Sequence, residues 1–126
     1  MNRAIIVADD SMIIQKIIED GLKGEYIVLK ASKGTDVVSL LMNNYNINIV
    51  GVLLDLNMPG SDGFMVLDYF KHNNLFKRYP VVIISGDDTK ETIDRAFTYN
   101  IVDMLNKPFS TENIKEAVNK MISFKG

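Results

Sequence analysis

Three aspartates in this sequence directly follow runs of apolar residues. Asp9 and Asp10 come after the run Ala4–Ala8, and Asp55 comes after the run Ile47–Leu54. If the two runs lie side by side, the three carboxylates crowd one small site, where two unit charges ~4 Å apart repel by about 4 kcal/mol at an effective dielectric of 20. Such a cluster needs a cation beside it or a raised pKa. Carboxylates with no His or Cys nearby suit Mg²⁺ and disfavour Zn²⁺.

A hydroxyl and an ammonium also stand at the ends of apolar runs. Ser85 follows Val81–Ile84, and Lys107 comes two residues after Ile101–Leu105. A metal ion and a lysine beside a carboxylate make a good phosphoryl-transfer site, because they stabilise the charge on the equatorial oxygens while a carboxylate oxygen attacks in line. A hydroxyl such as that of Ser85 can then donate to a phosphoryl oxygen.

Each of these residues taken alone has an ordinary structural interpretation. A single Asp after a strand is usually a cap or a turn residue, and Asp10 or Ser11 suits the start of the first helix. A lone Ser after a strand and a lone Lys-Pro pair are typical of turns. The combination, with each residue at the end of a different run, is what indicates a functional site.

Apolar runs alternate with amphipathic segments from one end of the chain to the other. The runs are short and rich in Ile, Val and Leu, which is typical of strands covered on both faces, as in a parallel sheet. The predicted strands are Ala4–Ala8, Tyr26–Ala31, Ile47–Leu54, Val81–Ile84 and Ile101–Leu105. The predicted helices are Ser11–Lys23, Thr35–Tyr45, Phe64–His72, Thr89–Tyr99 and a last segment after Ser110. This (βα)5 order predicts a doubly wound α/β domain, in which ligands bind beyond the carboxyl ends of the strands.

Helical spacing also predicts which residues face the core. In the first helix the apolar face comprises Ile14, Ile17, Ile18 and Leu22, and in the last it comprises Ile114, Ala117, Val118, Met121 and Ile122. Ser110 is the expected N-cap of the last helix. Phe64, Leu67 and Phe70 are expected in the core.

Length and composition predict one soluble globular domain over residues 1–126. Hydrophobic residues make up 47% of the chain and charged residues 24%, and the formal net charge is −2. The chain has no run of basic residues of the kind that indicates contact with nucleic acid. Cysteine is absent, which excludes disulfides, Cys-ligated metals and thiol catalysis. No apolar stretch reaches the ~18 residues that a membrane helix needs, and a cytoplasmic location is expected.

The pattern resembles the receiver domains of bacterial two-component response regulators along nearly the whole chain. The matching segments are 5–11 (IIVADDS), 54–63 (LDLNMPGSDG), 82–86 (VIISG) and 103–109 (DMLNKPF). The resemblance implies a flavodoxin-like fold with a five-stranded parallel sheet in the order 2-1-3-4-5. It also implies a switch that accepts a phosphoryl group, with no catalysis beyond its own phosphorylation and dephosphorylation.

The resemblance assigns a role to each candidate residue. Asp55 is the phosphoacceptor, and Asp10, Asp55 and the backbone carbonyl of Asn57 bind Mg²⁺ directly, while Asp9 acts through water. Lys107 pairs with the phosphoryl group, and Ser85 moves to hydrogen-bond it. The peptide bond between Lys107 and Pro108 is expected to be cis, which is the state of only ~5–6% of X-Pro bonds in folded proteins.

Two positions depart from the family pattern. Gly86 stands where the family usually has Ala, and Met104 stands where it usually has Tyr or Phe. A switch that is read through a ring in strand 5 is therefore in question, although Met is flexible enough to fill the same space. By the same resemblance, the side chains of Asn57 and Asp87 flank the water that hydrolyses the phosphoryl bond.

The implied partners are a sensor histidine kinase or a phosphotransfer protein, and a downstream protein or a C-terminal output domain. Output is expected through the face of helix 4, strand 5 and helix 5, by a monomer or a phosphorylation-dependent dimer. His72, the single histidine, is expected on the surface and not as a phosphodonor. The alternatives are a haloacid-dehalogenase-type phosphatase, which wants an acid where Asn57 stands, a flavodoxin-like FMN carrier, and a degenerate receiver that only binds partners.

Overall fold

The computed structural model describes residues 3–43, 46–58 and 63–124. Within these ranges, five strands and five helices alternate along the chain. The strands are β1 Arg3–Ala8, β2 Ile27–Ala31, β3 Asn48–Asp55, β4 Val81–Ser85 and β5 Asp103–Asn106. The helices are α1 Met12–Leu22, α2 Gly34–Asn43, α3 Gly63–His72, α4 Lys90–Ala96 and α5 Thr111–Ser123. The predicted (βα)5 order is confirmed.

The sheet is parallel, with the strand order β2-β1-β3-β4-β5, as predicted for a doubly wound, flavodoxin-like fold. The strand order reverses between β1 and β3, because the chain runs outward from β1 to β2 and then returns to the other side of β1. At this point Ala8 pairs with Leu54. The residues that follow this pair, Asp9 and Asp55, therefore leave the sheet next to each other.

Two hydrophobic clusters cover the two faces of the sheet. On one face, side chains of α1 and α5 pack on alternate residues of the strands: Ile18, Leu22, Ile114, Val118 and Met121 against Ile5, Val7, Leu53, Val82 and Ile84. On the other face, α2 and α3 supply Val37, Phe64, Leu67 and Phe70. The prediction that Phe64, Leu67 and Phe70 lie in the core is confirmed. With both faces covered, the central strands are buried along most of their length.

The last helix begins at a capping box, as its sequence indicates. The Ser110 hydroxyl accepts a hydrogen bond from the Asn113 N–H at 3.1 Å. In return, the Asn113 side-chain oxygen accepts one from the Ser110 N–H at 2.9 Å. Both bonds satisfy backbone donors that lack a partner in the first turn of a helix. In α1 the N-cap is Ser11, whose hydroxyl accepts from the Ile14 N–H at 3.3 Å.

Helix α4 is shorter than the predicted range Thr89–Tyr99. Thr89 is its N-cap, and the helix ends at Ala96. The N–H groups of Thr98 and Tyr99 donate to the carbonyls of Arg95 and Ala96, three residues back, at 3.1 and 3.2 Å. Such tight turns end an α-helix, because its own bonds reach four residues back. The other predicted elements agree with the structure to within about two residues, although Tyr45 lies outside the described residues.

Two isoleucines that were expected to face the core are exposed. Ile17 is 42% exposed and Ile122 is 50% exposed. The buried side of α1 is formed by Gln15, Ile18 and Leu22, and that of α5 by Ile114, Ala117, Val118 and Met121, so both are narrower than the sequence indicates. Of the helices in the described ranges, none is long and apolar enough to cross a membrane.

We predict that Gly51→Ala destabilises the protein by about 1–3 kcal/mol, as overpacking of a close contact does. Gly51 lies in β3 under α5, and a Cβ there would overlap the Met121 sulfur and come within 2.9 Å of the Pro80 carbonyl oxygen. That carbonyl is fixed, since it accepts a hydrogen bond from the Val52 N–H at 2.9 Å. Urea unfolding measures the change.

The matched control is Gly86→Ala, because nothing lies within 4 Å of a Cβ at Gly86. We expect it to change the free energy of unfolding by less than roughly 0.5 kcal/mol. Equal free energies for the two variants would contradict the close packing of α5 on β3.

Candidate functional site

The acidic residues lie together where β1 and β3 end. The register of these strands puts Asp9 and Asp55 side by side, and Asp10 follows at the start of the loop to α1. One carboxylate oxygen from each of Asp9, Asp10 and Asp55 lies within 4.8 Å of the other two. Asp9 and Asp55 are buried, whereas Asp10 is exposed. The cluster therefore has two enclosed carboxylates and one that opens to solvent.

Asp9 is held by both its main chain and its side chain. Its N–H donates to the Ala31 carbonyl at 3.0 Å, and its carboxylate Oδ1 accepts from the Ser11 N–H at 2.8 Å. The other oxygen, Oδ2, lies 2.9 Å from the Lys107 Nζ as an ion pair. Even so, Oδ2 has no hydrogen bond of acceptable geometry among the residues described, although it is fully buried. A buried carboxylate oxygen in this state has capacity for a further cationic or donor partner.

Gln15 also holds Asp9, and the sequence did not indicate this role. Its side chain is only 6% exposed, although it lies on α1. Its Nε2 donates to the Asp9 carbonyl at 2.6 Å and reaches the Ala31 carbonyl at 3.3 Å. The amide thus ties the end of β1 to the end of β2. The sequence contains one signal for it, since Gln15 falls between Ile14 and Ile18 on the inner side of the helix.

Both oxygens of Asp55 have partners. Oδ1 accepts from the Asn57 N–H at 3.1 Å, and Oδ2 lies 3.3 Å from the Lys107 Nζ. Burial raises the pKa of Asp55, and the negative charge of Asp9 adds to this, while the Asn57 N–H and the Lys107 ammonium lower it. Burial prevails, and the pKa of Asp55 lies above its ordinary value. Burial therefore disfavours the charged form of Asp55 more than its partners in the protein favour it.

Lys107 is the cation between the two buried carboxylates. Its backbone N–H donates to the Ser85 carbonyl at 2.8 Å, and the peptide bond that joins it to Pro108 is cis, as predicted. Burial of the ammonium lowers its pKa, but the close contact with the Asp9 carboxylate and the negative charges of Asp55 and Asp9 outweigh this effect. The pKa of Lys107 is consequently raised, so the side chain is a lasting positive charge in the site.

Ser85 ends β4 and is fully buried. Its register partner in β5 is Asn106, so Ser85 and Lys107 lie at the same edge of the sheet as the aspartates. Its hydroxyl accepts from the Asp87 N–H at 3.0 Å and donates to the Asp87 carbonyl at 3.2 Å. In this structure the hydroxyl thus bonds to the loop that leads into α4.

Asp87 does not direct its carboxylate to the acidic cluster in the way that the resemblance implies. Oδ1 accepts from the Thr89 N–H at 3.0 Å, and Oδ2 accepts from the Thr92 hydroxyl at 2.8 Å. The expected pairing with Asn57 around a hydrolytic water therefore finds no support on the Asp87 side. An Asp after a strand prefers this arrangement because the backbone N–H groups of the next helix are close and otherwise unpaired.

The side chains at this edge of the sheet fit a magnesium ion. One ammonium faces three carboxylates, and a fully buried oxygen of Asp9 lacks a hydrogen bond within the described part of the chain. The donors are all oxygens, and one of the three carboxylates is exposed to solvent, which suits an ion that keeps several water ligands. The acidic cluster is thus suited to hold Mg²⁺.

The remaining candidates lie outside this cluster. His72 is exposed at the end of α3, with its Nδ1 2.8 Å from the Asp68 carbonyl oxygen, as expected of a surface histidine. Met104 and Phe109 are partly buried and pack against the two hydrophobic clusters. Residues 59–62 of the motif after Asp55 lie outside the described residues.

Comparison with known families gives a match over most of the chain. The family model described as "Response regulator receiver domain" matches residues 5–119. The chain is similar to the two-component response regulator ARR2 of Arabidopsis thaliana, with 34% identity over 116 residues that cover 90% of this chain and 16% of that protein. It thus spans only a sixth of that relative's length, and 25% and 15% of two further curated relatives.

Relatives of similar length and structure also exist. The chemotaxis protein CheY1 of Helicobacter pylori is 26% identical over 120 residues, which cover 94% of this chain and 95% of that protein. Among solved structures, the receiver domain of the Francisella response regulator 1452 aligns with a TM-score of 0.81 and 26% identity, covering 97% of both chains. Sequence and structure therefore indicate the same family.

We predict that Gln15→Leu lowers the free energy of unfolding by about 1–3 kcal/mol, because it leaves the buried Asp9 carbonyl without its donor. Lys16→Leu is the control on the adjacent, exposed position, where loss of a surface ion pair to Asp20 should cost less than about 1 kcal/mol. Urea unfolding of both variants decides the point. If Gln15→Leu were as stable as the wild type, its amide would not be what holds the end of β1.

Proposed function

Because the chain belongs to the response regulator receiver domain family, we propose that it accepts a phosphoryl group on Asp55 from a sensor histidine kinase or a phosphotransfer protein. The observation that carries this proposal is the geometry around Asp55. A second buried carboxylate, an exposed carboxylate and a lysine ammonium surround it at the carboxyl edge of the sheet. This family membership favours a receiver over the phosphatase and the flavin carrier considered above.

The proposed transfer is a nucleophilic displacement at phosphorus. A carboxylate oxygen of Asp55 forms the new P–O bond, the P–N bond to the donor histidine breaks, and the leaving imidazole takes up a proton. Asp55 is suited to this role because it is held in one orientation by the Asn57 N–H and Lys107. The reaction then needs little further positioning of the nucleophile.

Two side chains are proposed to receive the incoming phosphoryl oxygens. Lys107 already lies 3.3 Å from Asp55 Oδ2, so its ammonium can pair with an oxygen that arrives there. Ser85 is proposed to turn its hydroxyl from Asp87 to the phosphoryl group. Each contact stabilises negative charge in a site that excludes much of the water.

Asp9, Asp10, Asp55 and the Asn57 carbonyl are proposed to hold Mg²⁺, with Asp9 acting through a water molecule. When bound, the ion neutralises charge on the phosphoryl oxygens and on the carboxylates. The chain's own contribution is to hold the carboxylates in place before the ion arrives, through Gln15 and the Ser11 N–H.

The biological role follows the family. Receiver domains are signalling phosphoacceptors, and we propose that residues 1–126 form one such domain in the cytoplasm that makes no contact with nucleic acid. Its phosphorylation state is proposed to control binding to a downstream protein or an output domain through the face of α4, β5 and α5. The proposed oligomeric state is a monomer or a phosphorylation-dependent dimer.

We predict a single phosphoryl adduct by intact-mass analysis after incubation with a small phosphodonor and Mg²⁺. The adduct should be absent in Asp55→Asn and in the presence of EDTA, because the nucleophile or the ion is then missing. Asp20→Asn, on the exposed side of α1, should form the adduct as the wild type does. A folded wild-type protein that gains no mass would refute the proposal.

We also predict that Mg²⁺ stabilises the wild-type protein against urea, by about 2.7 kcal/mol when the ion is present at 100 times its dissociation constant. Asp10→Asn should lose most of this stabilisation, whereas Asp20→Asn should keep it. The measurement is the free energy of unfolding with Mg²⁺ and with EDTA. Full Mg²⁺ stabilisation of Asp10→Asn would remove Asp10 from the proposed ligand set.

A further inference from the structure

A cavity of about 470 Å³ lies where β4 and β5 begin. Its walls come from the end of α3, the loop that leads to β4, and the loop between α4 and β5. The acidic cluster lies at the opposite edge of the sheet, where the strands end, so the cavity is separate from the proposed phosphorylation site. Its volume is within the ~300–1,000 Å³ that small-molecule sites commonly have.

One wall of the cavity is formed by the end of α3. Asn74 there has a positive φ of 53°, a conformation that Asn adopts more readily than most residues. The Leu75 N–H donates to the Phe70 carbonyl at 2.9 Å. The Asn74 N–H donates to the Lys71 carbonyl at 3.4 Å. These are the two bonds of a Schellman motif, which fixes the direction in which the chain leaves the helix.

Two aromatic rings, those of Phe76 and Tyr99, line the cavity. Phe76 is 7% exposed, and its ring centre lies 5.5 Å from that of Phe70 and 6.4 Å from that of Tyr99. Tyr99 is held as well, because its hydroxyl donates to the Asp68 carboxylate and its N–H to the Ala96 carbonyl. Rings fixed in this way offer a flat apolar surface before any ligand arrives, which lowers the cost of binding.

Two ammonium groups line the same cavity, those of Lys71 and Lys77. Both residues are exposed, and neither forms an ion pair with an acidic residue in the described part of the chain. Segment 69–86 contains these two lysines, His72 and Arg78 but no Asp or Glu, although the whole chain has a net charge of −2. The cavity therefore opens on a basic part of an acidic protein, where an anion is attracted.

The two lysines differ in how far a structural role explains them. Lys71 lies in the last turn of α3, where a cation is favourable beside the helix carbonyls in any protein. Lys77 lies in a turn before β4, away from any helix end. The second ammonium is thus what indicates a ligand. The side-chain amides of Asn74 and Asn100 also line the cavity, and each can both donate and accept a hydrogen bond.

We propose that this cavity binds a small compound that carries both an aromatic ring and an anionic group. The ring lies against Phe76 and Tyr99, and the anionic group pairs with Lys71 and Lys77. A nucleotide and an aromatic carboxylate share this chemistry. Binding needs neither Mg²⁺ nor a phosphoryl group on Asp55, so the proposal does not rest on the proposed function.

The test is an NMR titration of the full chain with AMP and with phenylacetate, one compound for each source of the ligand. EDTA is present, so that no metal ion can attract the anionic group to the acidic cluster. We expect the backbone amide signals of Asn74, Lys77 and Tyr99 to shift, and those of Asp10 and Asp55 to stay in place. The compound that binds more tightly shows whether the site prefers a nucleotide or an aromatic carboxylate.

Matched compounds separate the contribution of the ring from that of the charge. Adenosine and phenylacetamide keep the ring without the charge, whereas inorganic phosphate and acetate keep the charge without the ring. We expect each to bind at least roughly fivefold more weakly than its parent compound, because one of the two interactions is lost. Phosphate and acetate that bind as tightly as AMP and phenylacetate would overturn the proposal.

A double variant, Lys71→Gln with Lys77→Gln, tests the cations. We expect it to weaken the binding of both parent compounds roughly tenfold, since two surface ion pairs are lost. Lys115→Gln is the matched control, because it removes an exposed lysine from α5 and should leave the affinity unchanged. All three substitutions are at exposed positions, and the amide spectrum of each variant reports whether its fold is retained.

Two results would refute the site. One is the absence of any shift of the Asn74, Lys77 and Tyr99 amides at millimolar concentrations of AMP and of phenylacetate. The other is wild-type affinity in the double variant, which would mean that the ammonium groups do not bind the ligand.

Discussion

The organisation of this domain depends on one lysine ammonium placed between two buried carboxylates. Lys107 Nζ lies 2.9 Å from Asp9 and 3.3 Å from Asp55, while the third carboxylate of the cluster, that of Asp10, lies nearby at the surface. Without Lys107, repulsion between the two buried charges would be comparable with a large part of the ~5–15 kcal/mol by which a domain is stable. With it, the cluster still carries excess negative charge, and burial, aided by the charge of Asp9, keeps the pKa of Asp55 above its ordinary value. The fold thus tolerates a strained arrangement that a divalent ion would relieve.

The sheet topology is what makes this arrangement possible. The strand order reverses beside β1, so the ends of β1 and β3 leave the sheet side by side with no helix between them. The cluster is then fixed by backbone donors and by one buried amide. Gln15 holds the Asp9 main chain, the Asn57 N–H holds Asp55, and a Cβ at Gly63 would come within 2.6 Å of the Asp55 carbonyl oxygen. These contacts keep the carboxylates of Asp9 and Asp55 from moving apart, and this is what prepares the site for a cation.

The sequence predicted the strands, their order and the clustering of the strand-end residues, because those depend on hydrophobic patterning and on where parallel strands end. The predictions failed where a side chain of a given type can be accommodated in two different environments. Gln15 is polar and was not expected inside, but two main-chain carbonyls at strand ends offered partners for its amide. Asp87 lies just beyond a strand end and was expected beside the hydrolytic water, yet its carboxylate accepts from the Thr89 N–H and the Thr92 hydroxyl at the start of α4. Ile17 and Ile122 have core-like spacing, but the orientation of each helix on the sheet decides how wide its buried side is, and spacing alone does not determine that orientation.

Because α4 is weakly attached to the domain, a small change in free energy is enough to alter its position. A helix that buries one residue is stabilised largely by its ends, and each net hydrogen bond there contributes about 1 kcal/mol. A change of that size alters a two-state equilibrium about fivefold. The same change would have little effect on α5, whose four buried residues lock it to the sheet. Met104 is partly buried and packs against the hydrophobic cluster that contains Phe64 and Ala96, where its flexible side chain can adapt to small shifts of its neighbours. Within the described residues, α4 is therefore the helix whose position the smallest change in free energy would alter.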